Sequence, residues 1–352
     1  LELEASKEES MDEIFRMQKS EANLQFSKFV ERNYEDWVNG IGDDIPLMSH
    51  NLFKTKVAPL VKEGKTYMVL IDNLRFDQWK SISPLLSELY RIEQEEIYYS
   101  ILPTATQYSR NAIFSGLMPD AMEKLNPDIW VNDEDEGGKN MHEEEFLQKQ
   151  LKRLGLEKKV SYNKITNMNA GKKLVENFSN LQNNDLNVIV YNFVDMLSHA
   201  RTDMEVIREL ADDESAYRSL TMSWFEHSPL KNIFQKIAET GCPLIITTDH
   251  GTVHVKNPVK VVGDKNTNSN LRYKRGKNLN YDPKEVYEVK DPLKAHLPRQ
   301  HMSTRFIFAK GSDFFAYPNN YNHYVRYYKD TFQHGGISLE EMLIPVIQLK
   351  PL

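Results

Sequence analysis

The chain has 352 residues, enough for one large α/β domain with a smaller appendage. Hydrophobic residues make up 40% and charged residues 27%, a composition typical of a globular protein. No apolar run approaches the ~20 residues that span a bilayer, and the charged start lacks the apolar core of a signal peptide, so we expect no membrane insertion. The net charge of −7 argues against a protein that coats nucleic acid. The single Cys242 excludes internal disulfides and indicates a reducing cytoplasm.

Apolar residues recur at helical spacing over residues 6–40, with Glu and Lys at the positions between them. This pattern predicts one or two amphipathic helices whose apolar face packs on another helix or domain. The Gly- and Pro-containing stretch 40–46 is the natural linker, so we divide the chain into a helical segment, 1–45, and a large domain, 46–352. The missing initiator Met and the charged helical start predict a fragment of a longer protein.

Beyond the linker, strand patterns alternate with helix patterns. The predicted strands cover 66–71, 95–102, 160–162, 187–193, 244–248, 305–309 and 344–349. The predicted helices cover 52–63, 76–89, 109–114, 141–154, 170–181, 204–219 and 224–240, with a last one from 338. This alternation predicts an α/β fold, a mostly parallel sheet with helices on both faces.

Two of the predicted strands stop abruptly at acidic residues. Val69-Leu70-Ile71 is followed by Asp72, and the run 244–248 is followed by Asp249 and His250. Apolar, β-branched runs of this kind predict buried parallel strands, and ligands bind at the carboxyl edge of such sheets. Carboxylate and imidazole groups at that edge are candidate metal ligands.

Further polar residues follow other strands. Asp195 and His199 come directly after the strand 187–193, and His334 begins a Gly-Gly turn. Thr106 lies in a Pro-Thr-Ala-Thr turn just before a predicted helix, where free backbone N–H groups favour an anion. Each signal is weak alone, since a strand-end acid is often a helix cap and Asp-His-Gly is often only a turn. Their conjunction at one sheet edge favours a metal site.

The order of these residues resembles the alkaline phosphatase superfamily, over residues 65–352. Pro103-Thr104-Ala105-Thr106 with Gly116 resembles the nucleophile segment of its phosphodiesterases, and Asp249-His250-Gly251 and His334-Gly335-Gly336 resemble two further signatures. The stretches 71–77 and 102–106 resemble its PglZ branch. With the helical segment in front, the chain resembles the PorX response regulators of bacterial type IX secretion, which carry a receiver domain, a helical bundle and a PglZ effector. The receiver would be absent here.

The resemblance implies two metal ions, Zn²⁺ with Mn²⁺ as the alternative. One would be held by Asp195, His199 and His334, and the other by Asp72, Asp249, His250 and the Thr106 oxygen. Thr106 would be the catalytic nucleophile, attacking phosphorus to form a phospho-threonine that water then hydrolyses.

Four residues are candidates for substrate binding. Ser109, Arg110 and Asn111 are close enough to Thr106 in sequence to contact phosphoryl oxygens. Ser109 stands where related phosphodiesterases have Asn, which leaves substrate orientation open. His254 follows His250 by four residues, although an ordinary strand or loop histidine is the stronger interpretation.

The segment 254–300 is basic, with eleven Lys and Arg against five acids, a net charge of +6. It is interpreted either as a solvated loop or as a rim that attracts a polyanionic substrate. The resemblance implies a zinc-dependent phosphodiesterase acting on short linear or cyclic oligonucleotides, as the effector of a response regulator that controls type IX secretion. The rivals are a signalling scaffold with structural metals and a phosphomonoesterase or phosphomutase. Secretion-system or transcription partners and a homodimer stay open.

Overall fold

A computed structural model describes residues 9–352 except residues 134, 136, 137, 193, 195–212, 265 and 266. Its helices are α1 (Glu9–Val38), α2 (Ser49–Leu52), α3 (Ala58–Glu63), α4 (Phe76–Ile82), α5 (Thr106–Ser115), α6 (Pro119–Leu125), α7 (Glu143–Arg153), α8 (Met168–Glu176), α9 (Glu214–His227), α10 (Pro229–Glu239), α11 (Tyr321–Tyr328) and α12 (Leu339–Met342). Its strands are β1 (Thr66–Ile71), β2 (Tyr90–Tyr99), β3 (Val160–Ile165), β4 (Leu186–Tyr191), β5 (Leu244–Thr247), β6 (Val253–His254), β7 (Asn257–Lys260), β8 (Tyr273–Gly276), β9 (Val286–Val289), β10 (Arg305–Ala309), β11 (Asp313–Ala316), β12 (Phe332–Gln333) and β13 (Leu343–Pro351).

A six-stranded sheet in the order β2-β13-β5-β1-β4-β3 forms the centre of the fold. β5, β1, β4 and β3 are parallel, and β13 is antiparallel to both of its neighbours, β5 and β2. β2 therefore has the same direction as the parallel strands. The expected α/β fold with a mostly parallel sheet is confirmed. All six residues of β1 are buried, as its uninterrupted apolar sequence requires of a strand covered on both faces.

Alternate residues of the central strands enter two different cores. Met68 and Leu70 of β1 pack in the core that includes residues of α1, α5 and α7. Tyr67, Val69 and Ile71 pack on the other face, with residues of α4, α9 and α10. Helices therefore cover both faces, and the carboxyl edge of the sheet opens between them.

The amino-terminal segment is one 30-residue helix, α1. Its apolar face packs in the same core as the α/β domain, with Val30, Tyr34 and Trp37 among the buried residues. The apolar face of α1, which was predicted to pack on another helix or domain, packs on the α/β domain of the same chain. The domain boundary at residue 45 stays a prediction.

The predicted helix boundaries differ from the structure around residues 214–240. One helix, α9, continues through residues 219–224, and the chain breaks at Ser228 because Pro229 opens α10. Proline is favoured in the first turn of a helix, where its missing N–H has no partner to lose. The expected start at residue 204 lies outside the described residues. β2 also begins earlier than predicted, at Tyr90.

The basic segment 254–300 contributes to small additional sheets, including the antiparallel order β8-β10-β9. Arg272, Lys274 and Arg275 in or beside β8 are all buried, with at most 5% exposure. The interpretation of this stretch as a solvated loop is therefore wrong for its central part.

Candidate metal centre and nucleophile

The carboxylates of Asp72 and Asp249 lie side by side because of the register between β1 and β5. Leu70 pairs with Thr247 in the parallel β1–β5 ladder, so two residues later Asp72 and Asp249 meet at the carboxyl edge. Ser100 Oγ donates to the main-chain oxygen of Asp249 at 2.8 Å, which fixes this strand end from the side of β2. Parallel pairing of these two strands, which the sequence predicts, therefore brings the two side chains together.

Asp72, Asp249 and His250 form a buried cluster. Each is at most 1% exposed, and each offers a ligand atom within 4.8 Å of the other two. Two carboxylates buried side by side are unfavourable unless a positive charge lies close to them, so the cluster favours cations. Carboxylate oxygen with imidazole nitrogen is a donor set that Zn²⁺ accepts readily and Mn²⁺ tolerates. The residues present therefore fit a divalent metal ion.

The guanidinium of Arg110 contacts the carboxylates of this cluster. Its Nη2 pairs with Asp72 Oδ2, its Nε lies 2.9 Å from Asp249 Oδ2, and its Nη1 lies 3.4 Å from Glu143 Oε1. Burial disfavours ionised Asp249, but the positive charge of Arg110 and the nearby His250 outweigh it, so the pKa of Asp249 is lowered. The sequence offered no signal for these contacts, and the expected contact of Arg110 with phosphoryl oxygens stays a prediction.

Thr106 is the first residue of α5 and lies next to His250. It is half-buried, whereas Ala105 and Gln107 on either side are buried. Its Oγ1 is 3.1 Å from His250 Nε2, and His250 Nδ1 is 3.2 Å from the Gly251 carbonyl oxygen. Because that carbonyl only accepts, the network assigns the ring proton to Nδ1 and leaves Nε2 to accept from the Thr106 hydroxyl.

The position of α5 is fixed at its carboxyl end. Gly116 adopts a left-handed conformation with φ of 64°, the conformation that glycine adopts with little strain. Gln150 of α7 donates through Nε2 to the Ile113 and Phe114 carbonyl oxygens, both at 2.9 Å. These bonds satisfy carbonyls that a helix end leaves open, and they hold α5 against α7.

His334 follows β12 and lies against the cluster. Its ring stacks on that of His250, with centroids 4.1 Å apart and planes 15° from parallel. Its Nδ1 is 3.0 Å from the Thr104 carbonyl oxygen, so Nδ1 donates and Nε2 is the acceptor of the ring. Asp195 and His199, the expected co-ligands of His334, lie outside the described residues. That second ligand group stays a prediction.

The other proposed substrate contacts have local partners. Ser109 Oγ donates to the Ala105 oxygen at 3.0 Å, and Asn111 Nδ2 donates to the Gln107 oxygen at 2.8 Å, both along α5. His254 lies in β6 with its ring 5.1 Å from that of Phe332. Their contact with a substrate stays a prediction.

Glu341 is a buried residue for which the sequence indicated no role. Its carboxylate accepts from Gly336 N at 2.9 Å, Ser338 Oγ at 2.6 Å and Arg272 Nη2 at 2.6 Å. Thr104 Oγ1 accepts from Gly335 N and donates to the Gly336 oxygen, each at 3.0 Å. The turn that carries His334 is thus bonded to the loop that carries Thr106.

Comparison with known protein families assigns the chain to one of them. The model of the BREX system PglZ alkaline phosphatase-like domain matches residues 52–349. The chain belongs to the PglZ alkaline phosphatase-like family. Residues 1–38 match the PorX response regulator linker domain, so the expected PglZ and PorX resemblances are both confirmed. The PglZ family is one of alkaline phosphatase-like phosphoesterases, and residues 52–349 carry its domain.

Solved structures share the fold of this PglZ chain at low sequence identity. Human ectonucleotide pyrophosphatase/phosphodiesterase 5 matches with a TM-score of 0.54 and 12% identity, covering 81% of this chain and 87% of that chain. The murine protein matches with 0.55 and 12%, covering 81% and 88%. An inactive variant of the murine protein in complex with AMP matches with 0.53 and 12%, covering 82% and 88%.

No curated protein matches the chain. Within the described residues, every helix is too short or too polar to cross a membrane.

Proposed function

We propose that the chain is a metal-dependent phosphodiesterase whose nucleophile is Thr106. The observation that carries the proposal is the position of the Thr106 hydroxyl, half-buried at the start of α5 and 3.1 Å from His250 Nε2, beside buried Asp72 and Asp249. A hydroxyl at the amino end of a helix faces backbone N–H groups that favour a phosphoryl anion.

The proposed ligand groups are those that the family resemblance implies, and the first of them coincides with the buried cluster of Asp72, Asp249 and His250. Asp72, Asp249, His250 and the Thr106 oxygen would hold one Zn²⁺ or Mn²⁺, and Asp195, His199 and His334 would hold a second. Such ions lower the pKa of a coordinated hydroxyl and neutralise charge on phosphoryl oxygens.

Two displacements at phosphorus complete the reaction. Thr106 Oγ attacks in line, the bond from Oγ to phosphorus forms, and the bond from phosphorus to the leaving alcohol breaks. The alcohol leaves with a proton. Water then attacks the phosphorylated Thr106, the Oγ–phosphorus bond breaks, and the hydroxyl is restored. The first turn of α5 holds the phosphoryl oxygens in both steps.

Short linear or cyclic oligonucleotides are the proposed substrates. The net positive segment 254–300 would attract a polyanion. One structural neighbour was solved with AMP, which supports a nucleotide-sized site on this fold. Ser109, Arg110, Asn111 and His254 remain proposed contacts to the substrate. The PorX linker match supports a cytoplasmic effector of a response regulator in type IX secretion.

A second candidate function is a signalling scaffold with structural metals, favoured by the match of residues 1–38 to a response regulator linker. In that function, α1 would serve partner binding, with an upstream receiver domain, a secretion or transcription component, or a second copy as the partner. A phosphomonoesterase or phosphomutase is the third.

Paired substrates separate these functions. Purified protein with Zn²⁺ or Mn²⁺ should hydrolyse a bis-aryl phosphate diester faster than the aryl monoester, and Thr106→Ala should abolish the activity. Thr240→Ala is the matched control, because that hydroxyl bonds the Ile237 oxygen at the far end of the sheet. Faster monoester hydrolysis would favour the monoesterase. Absence of diester hydrolysis with every divalent metal would favour the signalling scaffold as the function.

A further inference from the structure

Helix α1 reaches the loop that carries the nucleophile. Tyr34 is fully buried, and its hydroxyl oxygen accepts a hydrogen bond from the main-chain N–H of Leu102 at 2.8 Å. Leu102 immediately precedes the turn that ends in Thr106. A residue of the amino-terminal helix therefore fixes the point at which this loop leaves β2.

The same helix also reaches the turn that carries His334. Asn23 lies about three helical turns before Tyr34, on the same face of α1. Its Oδ1 accepts from the Leu339 N–H at 2.8 Å, and its Nδ2 donates to Glu340 Oε2 at 3.1 Å. Asn23 is 5% exposed, so water does not compete freely for these bonds.

The residues that Asn23 holds are continuous with the site. Glu341 follows them and binds the Gly336 N–H, two residues after His334. Gly251 N donates to the Glu341 oxygen at 3.2 Å, and a Cβ on Gly251 would lie 2.1 Å from the Glu340 oxygen. The Asp249-His250-Gly251 turn is thus packed directly against the segment that α1 holds.

Lys19 adds a third contact from α1. Its Nζ lies 3.0 Å from Glu340 Oε1 and 2.5 Å from Glu214 Oε1. Glu214 is the first residue of α9 and lies 3.7 Å from Arg75 Nη2. The ion pairs of Lys19 are more exposed than the Asn23 hydrogen bonds, so they hold α1 less strongly.

We propose that α1 is a positioning element of the active site, in which Asn23 and Tyr34 hold the His334 turn and the Thr106 loop at a fixed separation. This rests on the proposed phosphodiesterase function. Neither residue touches the reacting atoms, so each acts through the segment that it binds. A partner or attached domain that shifts α1 along its axis would move both segments and change turnover. The helix that matches a response regulator linker is therefore a route for control of the site.

Point variants test the two contacts separately. Tyr34→Phe keeps the ring and removes the oxygen that accepts from Leu102. Asn23→Asp keeps the acceptor for Leu339 but places a carboxylate against Glu340, and the double variant Asn23→Asp with Glu340→Gln restores a donor facing an acceptor. We expect each single variant to lower kcat about five- to twenty-fold, the loss expected for one or two hydrogen bonds, with KM changed less than about two-fold. The double variant should recover most of the loss.

Two control variants remove comparable bonds elsewhere. Tyr90→Phe removes a buried hydroxyl that donates to the Phe234 oxygen at 2.6 Å, in the core on the opposite face of the sheet. Asn33→Asp changes an exposed amide of α1 that donates to the Phe29 oxygen of its own helix. Both should leave kcat unchanged, although Tyr90→Phe should lower Tm about as much as Tyr34→Phe.

Amide hydrogen exchange gives a readout that needs no activity. Asn23→Asp should speed exchange not only in peptides covering 334–341, which it contacts, but also in those covering 102–106, and the double variant should reverse both. Acceleration confined to 334–341, or a kcat loss no larger than that of Tyr90→Phe at equal Tm, would overturn the proposal. If the wild type hydrolyses no diester, the proposed function fails, and the exchange pattern still decides whether α1 couples the two segments.

Discussion

Three buried carboxylates, those of Asp72, Asp249 and Glu143, face the guanidinium of Arg110. Glu143 is also 3.0 Å from Lys164 Nζ, so it has a second cation. Asp249 Oδ2 lies 3.7 Å from His250 Nε2. Proposed metal ligands that are held in place by an arginine are pre-arranged before a metal binds. At the residue scale, Arg110 therefore links stability to metal affinity.

We expect Arg110→Met to lower the free energy of unfolding of the metal-free protein by about 3–5 kcal/mol, because it leaves buried carboxylates without their partner. Added Zn²⁺ should recover part of this loss by neutralising Asp72 and Asp249. Denaturant unfolding with chelator and then with Zn²⁺ measures both effects. Arg305→Met is the control, since Arg305 pairs with Glu288 at the surface and should cost at most about 1 kcal/mol. Equal losses in the two variants would refute the proposed role of Arg110.

The elements that place the site differ in how far sequence reveals them. The strand ends at Asp72 and Asp249 could be predicted, because a buried parallel strand has a local apolar signature and its carboxyl edge follows from the fold. The contact between Arg110 and Asp249 joins residues 139 positions apart, and that between Asn23 and Glu340 joins residues 317 apart. No local pattern specifies such pairs, because they depend on how whole elements pack.

Helix α5 gives an element-scale prediction. Gly116→Ala should destabilise the protein more than Gly155→Ala, although the two glycines have nearly equal φ, 64° and 66°. A Cβ at Gly116 would lie 2.2 Å from Gln150 Oε1, whereas one at Gly155 meets nothing within 4 Å.

We expect about 1 kcal/mol for Gly155→Ala, from backbone strain alone, and about 2–4 kcal/mol for Gly116→Ala. Paired denaturant curves measure the difference. Gly116→Ala should also lower kcat, since α5 carries Thr106. Equal losses of stability would show that the Gln150 contact does not hold α5.

At the scale of the whole molecule, α1 packs in the same core as the parallel sheet, so the linker helix and the PglZ domain stabilise each other. The amphipathic pattern predicted that α1 would pack on something, but not that Tyr34 and Asn23 would reach the site. Polar residues on an apolar helix face have many ordinary explanations, and only the packed structure distinguishes them.

Stability should also depend on pH through His50 in α2. Burial, with a smaller contribution from His296, lowers the pKa of His50 to about 4, and its Nδ1 is buried with no hydrogen-bond partner among the described residues. The unfolded chain binds this proton near pH 6.5, so the folded state loses stability as pH falls from about 6.5 towards 4. We expect this loss to be on the order of 1–3 kcal/mol.

His50→Gln should make the free energy of unfolding fall less steeply over that pH range. Denaturant titrations at pH 8 and pH 5 provide the comparison, with the pH 8 values correcting for any change in packing. A wild-type slope unchanged by the substitution would contradict this assignment.

The direct test of Thr106 as a nucleophile is the stereochemical course of hydrolysis. A phosphorothioate diester chiral at phosphorus would be hydrolysed in heavy-oxygen water by the metal-loaded protein, and the product configuration determined. Two in-line displacements through phosphorylated Thr106 predict retention of configuration at phosphorus. Inversion would mean that water attacks the substrate directly, and would contradict the proposed mechanism.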